Sequence, residues 1–260
     1  MNASTYEVEA FNTATASTNK IHDDEVARTY GFRGGLVPGV DVYAYLTHAP
    51  VAHWGVDWLA DGTITSRFAK PVYDGDRVRV AITVVDGGME LRLTDPAGEV
   101  CATGRAESGT AGCTAWTALP SAIGPDRRPP ASAESLRPGT VLGSLHEVFD
   151  ASVHTTYLAE VRETLPLYAA EGLAHPGWLL RFANSILSRY VELGPWIHVE
   201  SDVALLGLVR DGDALDVRAV VLDEYERKGH RFVVLDVAVA NGDRPVQRVR
   251  HTAIHTPRRR

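Results

Sequence analysis

Two residues near the start of the chain have the chemistry of a proton-handling site. His22 closes the run Asn19-Lys20-Ile21-His22, just ahead of the acidic stretch Asp23-Asp24-Glu25. An imidazole titrates near neutrality, so it can take a proton and return it. Gly39 follows Pro38 at the head of a long apolar run. A helix starting there offers its first N–H groups to a developing negative oxygen, with no side chain in the way. Each also has a plain structural reading, as a histidine beside a helix entry and as a helix-entry glycine. His175 precedes a second Pro-Gly pair, Pro176-Gly177, and reads either as a ligand contact or as a capping histidine. His230, His251 and His255 fall on predicted strands without a third ligand at metal-site spacing. They are read as surface or packing residues, and no metal is expected. Gly34-Gly35 is too short for a phosphate-cradling loop, so no nucleotide or other cofactor is expected.

The elements that position these residues occur twice. Pro38-Gly39 and Asp74-Gly75-Asp76 recur as Pro176-Gly177 and Asp211-Gly212-Asp213, at spacings that differ by one residue; Val72 and Val80 recur as Val209 and Val217. In the first copy Asp23 is a plausible N-cap for a short helix ending near Gly31. Val40–His53 is apolar on most sides and predicts a buried helix. Strands are predicted at 63–69, 77–84, 89–94 and 99–106, the second from the alternation of Val78, Val80, Ile82 and Val84 with smaller or charged residues. The second copy predicts helices at 157–170 and 178–193 and strands at 197–206, 214–224, 231–240 and 246–255. Asn241-Gly242-Asp243 makes a hairpin turn between the last two. Each copy is thus one long apolar helix and an antiparallel meander, an α+β architecture in which each helix is buried against its own curved sheet and the two sheets lie side by side. The expected organisation is a first half over residues 1–107, a Gly-, Pro- and Ser-rich exposed linker over 108–139, and a second half over 140–260.

Composition narrows the class. The 260 residues are 45% hydrophobic and 23% charged, with a net charge of −7, which is ordinary for a globular protein and argues against nucleic-acid binding. The terminal Arg258-Arg259-Arg260 reads as a frayed tail. Cys101 and Cys113 make no disulfide framework and read as ordinary thiols. Met1–Thr18 lacks the basic start and apolar core of a signal peptide, and no apolar run has the length of a membrane span. A soluble, cytoplasmic protein with no membrane partner is expected.

Asn19-Lys20-Ile21-His22, Gly31-Phe32, Gly35-Leu36-Val37-Pro38-Gly39, the apolar helix and Phe68-Ala69-Lys70-Pro71-Val72-Tyr73-Asp74-Gly75-Asp76 together resemble the MaoC-like (R)-specific enoyl hydratase and dehydratase family. The resemblance covers roughly residues 15–85 and reaches the second half only through its landmarks. It implies a hot dog, a sheet wrapped around a central helix, and for this chain a double hot dog. The family motif is Asp-x-Asn-Pro-(aliphatic)-His. His22 then stands as the general acid or base and Asn19 as the asparagine that orients the loop. Lys20 replaces the usual proline, and Ser17 stands where the catalytic aspartate is expected; Asp23, Asp24 and Asp41 are the nearest carboxylates. Gly39 N–H would meet a thioester carbonyl. The expected substrate-binding set is Ser17, Asp41, Tyr43, His175 and Trp178, and aromatics on the two apolar helices line a pocket or fill the core. The function implied is a hydro-lyase acting on the α,β-bond of an acyl thioester carried by coenzyme A or an acyl-carrier protein. The alternatives are a tailoring enzyme for a bulky substrate, a non-catalytic acyl-binding module and a thioesterase. A homodimer is expected, although a double hot dog already contains its pseudo-dimer.

Overall fold

Alternation of apolar and polar residues builds most of the sheet. In the strand Arg77–Val85, Val78, Val80 and Ile82 face inward while Arg77 and Arg79 face solvent. The computed structural model describes residues 3–114 and 116–258. Arg259, Arg260 and the Cys113 side chain lie outside the described residues. Ten strands form one sheet: β1 (Ala3–Glu9), β2 (Gly62–Phe68), β3 (Arg77–Val85), β4 (Gly88–Thr94), β5 (Val100–Ser108), β6 (Val141–Val148), β7 (Ile197–Leu205), β8 (Ala214–Arg227), β9 (His230–Asn241) and β10 (Arg244–Thr256). Every pairing is antiparallel, in the order β1-β3-β4-β5-β2-β7-β10-β9-β8-β6. That order is its own mirror image under exchange of the two copies. The halves meet where β2 pairs with β7, from Thr63 opposite Ala204 to Arg67 opposite Glu200.

The helices are α1 (Asp24–Thr29), α2 (Gly39–Asp61), α3 (Ala151–Glu160), α4 (Leu167–Glu171) and α5 (Pro176–Tyr190). Helix α2 buries nearly its whole first four turns, from Val40 to Val51. Its backbone breaks at Gly55, and the remainder turns back so that Trp58 is fully buried and donates from Nε1 to Glu107 O at 3.0 Å. Helix α5 is amphipathic, burying Leu179, Leu180, Ala183, Ile186 and Leu187 against α2 and the second half of the sheet. This is the double hot dog that the family resemblance implies, with the two copies that the duplicated landmarks predict.

Four sequence expectations change. Strand β1 falls in a segment read as polar and strandless; only Tyr6 and Val8 mark its inner face, and it pairs with β3. Strand β6 is likewise an edge strand, paired with β8. The helix predicted over 157–170 is two helices, because Arg162 takes a positive φ of 57° and Pro166 caps α4. The linker expected to be exposed is tied down: Leu136 is fully buried, and Leu119 O and Thr117 O accept from Arg218 and Arg248. Cys101 is buried, which pushes its thiol up to about 11. Among the described residues, no helix is long and apolar enough to cross a membrane.

The one-residue difference in spacing between the copies is absorbed at the helix entries. Val37 N–H donates to Val72 O, and Ala174 N–H donates to Val209 O in the same way. In this register Pro38 is the N-cap of α2 with Gly39 as first helical residue, whereas His175 caps α5 and Pro176 is first. The first copy therefore has an N–H at a place where the second has none.

Candidate active site

His22 ends a single 3₁₀ turn, Lys20–His22, whose shape is set by local side chains. Asn12 Nδ2 donates to His22 O at 3.1 Å, and Asp23 caps α1 by accepting from Glu25 N and Val26 N. Gly35 packs against the same turn so closely that a Cβ there would sit 2.1 Å from His22 O, so the loop before α2 can lie here only as glycine. The imidazole is then held at both nitrogens. Leu36 O can only accept, so at 2.6 Å it assigns the proton to His22 Nδ1. His22 Nε2 then carries the ring's one lone pair, which accepts from Asn19 Nδ2 at 3.3 Å, a long contact at the cavity wall. Burial lowers the His22 pKa below the ordinary histidine value; the Leu36 carbonyl and then Asp41 oppose that shift. The ring is a neutral base at neutral pH.

Asn19 joins this loop to the other half of the molecule. Its Oδ1 accepts from Trp196 N at 3.1 Å and its Nδ2 donates to Trp196 O at 3.0 Å, which fixes the amide's orientation. Asn19→Ala leaves both backbone groups of the buried Trp196 without partners. At about 1–3 kcal/mol for each, the variant is expected to lose about 2–6 kcal/mol in urea unfolding; a loss under about 1 kcal/mol would contradict this role.

His22, Asn19 and Gly39 line one cavity of about 230 Å³ between the halves. Its walls are mostly apolar: Ile21, Phe32, Leu36, Val42, Phe68 and Val72 from the first half, and Trp196, Ile197, Val199 and Ile254 from the second. Among the described residues, nothing accepts the Gly39 N–H. Among them, too, no carboxylate lines the cavity. Asp24 Oδ1 accepts from Gly35 N at 2.8 Å. Asp41 is fully buried, paired with Arg181 at 2.8 Å and accepting from Thr13 Oγ1 at 2.6 Å.

The expected substrate-binding residues lie elsewhere. Ser17 Oγ accepts from Asn19 N at 3.1 Å and so braces the loop without reaching the cavity wall. Asp41 is committed to Arg181, an ion pair across the halves. Tyr43 is buried in the core because α2 packs on every side. His175 caps α5 by accepting from Gly177 N at 2.9 Å, and its Nε2 lies 3.4 Å from Glu163. Trp178 stacks edge-on against Phe149 and Phe182.

Four polar residues of the cavity were not foreseen as site residues, and one of them, Lys70, is exposed and paired with Glu99. His198 and Asn184 come from the second half, and each has a buried polar atom, Nδ1 and Oδ1, without a partner. His230, read from sequence as surface or packing, lines the mouth and accepts from Arg258 N. His251 is fully buried and bonded to Ser201, and His255 is buried and bonded to Glu224 at 3.0 Å; the two share the inner face of β10 with Val249 and Ala253. The described residues contain no cluster of three or more metal-ligating side chains.

The pseudo-equivalent place in the other half is filled. Leu173, Pro176, Leu179, Leu205, Val209 and Leu59 stand where the open cavity has Leu36, Gly39, Val42, Phe68, Val72 and Trp196, at one constant separation along the chain. They leave about 10 Å³, less than a water molecule needs.

No protein-family model and no curated protein matches the sequence. Solved structures do match in fold. A MaoC-like dehydratase superposes with a TM-score of 0.64 at 13% identity, covering 97% of this chain and 97% of that one. A conserved hypothetical protein from Mycobacterium tuberculosis, described as essential for survival during infection and as a double hot dog, superposes at 0.63 and 14% identity over 98% and 96%. An acyl-ACP thioesterase from Bacteroides thetaiotaomicron superposes at 0.50 and 11% identity over 96% and 97%. The shared feature is the double hot-dog fold.

Proposed function

We propose that this double hot-dog chain is a MaoC-like hydro-lyase that adds water to, or removes it from, an α,β-unsaturated acyl thioester carried on coenzyme A or an acyl-carrier protein. The observation that carries this reading is the convergence of the His22 Nε2 lone pair and the unpartnered Gly39 N–H on one apolar cavity. In the hydration direction His22 Nε2 takes a proton from water as the water oxygen bonds to the β-carbon. The displaced π electrons move to the α-carbon and on to the thioester oxygen, which Gly39 N–H stabilises at the positive end of α2. His22 Nε2–H then returns the proton to the α-carbon. One group thus performs both transfers, so water adds to one face of the double bond. At rest Asn19 Nδ2 donates to Nε2; the reacting water replaces that long contact, while Asn19 keeps the loop against Trp196.

The cavity also bears on chain length. About 230 Å³ is below the roughly 300–1,000 Å³ usual for small-molecule sites. The aromatics of the two long helices, among them Tyr43, Tyr45 and Trp58, fill the core instead of widening it. A short acyl chain fits this space better than a bulky ring. The test is a panel of trans-2-enoyl-CoA substrates of increasing length, followed by loss of enoyl absorbance and, in parallel, by release of free thiol. Loss of absorbance without thiol release, strongest for short chains, is the expected result. Thiol release in step with the loss of absorbance would make the protein a thioesterase and overturn the lyase reading.

A further inference from the structure

The second half contributes a buried hydrogen-bonded chain that ends at the helix entry. His198 is only 6% exposed yet lines the cavity. Its Nδ1 has no partner among the described residues and lies beside Gly39: a Cβ built on Gly39 would be 2.8 Å from it. Its Nε2 is 2.8 Å from Ser201 Oγ, which is 3.0 Å from His251 Nδ1. The two rings lie 4.2 Å apart, and His251 Nε2 is likewise unpartnered and fully buried.

Ser201 Oγ carries one proton; if it accepted from both neutral rings, that proton would have no acceptor among the described residues, which leaves two arrangements of this chain. In one, Ser201 donates to His198 Nε2 and accepts from His251 Nδ1–H, leaving His198 with a proton on Nδ1. In the other both rings are reversed, leaving an N–H on His251 Nε2 with nothing to receive it. A buried donor without a partner is rarer than a buried acceptor without one. The first arrangement puts its free donor at the cavity, where a ligand can accept it, and its idle acceptor in the core. Burial, and then the neighbouring His251, hold the His198 pKa well below the ordinary value. The positive end of α2 acts in the same direction, so the ring is a neutral donor.

Resting on the acyl-thioester reading, we propose that His198 is the second donor to the thioester oxygen: its neutral imidazole gives Nδ1–H to the same carbonyl that meets Gly39 N–H, with Ser201 and His251 as the positioning residues that fix its tautomer. The second half is then part of the reacting site, and a histidine donor acts in a site whose wall has no carboxylate. The chemistry recognised is a carbonyl oxygen one bond from sulfur.

The test separates the carbonyl contact from turnover. Equilibrium dissociation constants are measured for butanoyl-CoA and for S-butyl-CoA, a thioether that lacks only the carbonyl. The wild type should bind the thioester about a hundred-fold more tightly, about ten-fold for each of its two hydrogen bonds. In His198→Leu the ratio should fall to about ten, the share left to Gly39 N–H, and in His198→Asn, which keeps a donor near the Nδ1 position, it should partly recover. Ser201→Ala should lower the ratio without altering the fold, as judged by circular dichroism. A His198→Leu protein that is folded and keeps the wild-type ratio overturns the role of His198 while leaving the acyl-thioester reading intact. A wild type that binds the two ligands equally overturns it as well. A wild type that binds neither ligand at millimolar concentration overturns the acyl-thioester reading and this inference with it.

Discussion

His22→Ala should lower kcat for enoyl-thioester hydration by roughly 10²–10⁴-fold, the range supplied by a single positioned acid/base, and should change KM much less. The expectation follows from the ring's two fixed contacts. Leu36 O holds the proton on Nδ1, and Asn19 Nδ2 marks the direction of Nε2. Among the described residues, no carboxylate of the cavity wall stands by to take over. The ring is half-buried at the end of a short turn, so its removal leaves the core of α2 and the sheet untouched, and the variant should melt near the wild-type temperature. Because burial lowers the His22 pKa, the wild-type kcat/KM should stay on its plateau as the pH falls through 6.5 and decline only below the ordinary histidine range. A variant that is folded and retains more than a tenth of wild-type kcat would remove His22 from the chemistry and, with it, the carrying observation for a lyase.

Mild acid should unfold the protein. His154 and His251 are held down to about 3, the first by burial followed by His175 and Arg181 and the second by burial, and His198 lies well below its usual value. None of the three has a carboxylate hydrogen-bond partner. The unfolded chain binds protons at these rings from about pH 6.5 downward, while the folded chain does not. Stability therefore falls as the pH falls, by about 1.4 kcal/mol per pH unit for each ring. Three rings cost about 4 kcal/mol per unit, against a total of about 5–15 kcal/mol for a typical fold. Glu163 adds to the loss at lower pH: although burial opposes it, hydrogen bonds from His175 and His48 depress its carboxyl, and protonation breaks that arrangement. A cooperative loss of near-ultraviolet circular dichroism with a midpoint around pH 4 is expected, with uptake of about three protons by these rings as the chain unfolds. Native signal persisting to pH 3 would show that these rings are accessible to protons in the folded state.

Much of this was legible from local pattern. The alternation in Arg77–Val85, the hairpin turn at Asn241-Gly242-Asp243 and the repeated Asp-Gly-Asp turns each report a geometry that a few neighbouring residues decide. His22, Asn19 and Gly39 were legible for the same reason, since the turn and the helix entry that position them are short. What escaped notice depends on residues far apart in the chain. Asp41 reads as a free carboxylate until Arg181 is brought to it across the halves. His198 has no local signature, because its chemistry comes from Ser201 and from His251 on the neighbouring strand, in a register shaped by the irregularity at Thr252/Ala253. Tyr43 and Trp178 were misplaced because a helix packed on most sides hides its large residues, whichever way periodicity points them.

The offset at the helix entries also bears on how such a chain can change over time. In a dimer of identical single hot dogs, any substitution strikes both sites together, and a proline at the first helical position would silence the assembly. Here Gly39 and Pro176 occupy corresponding places and differ. Covalent fusion has uncoupled the two helix entries: the one at Gly39 opens on the cavity, and the one at Pro176 is free to hold leucines, a capping histidine and a rigid proline that serve cohesion. The chain thus divides between its two halves a trade-off that a symmetric ancestor would have had to settle within a single sequence.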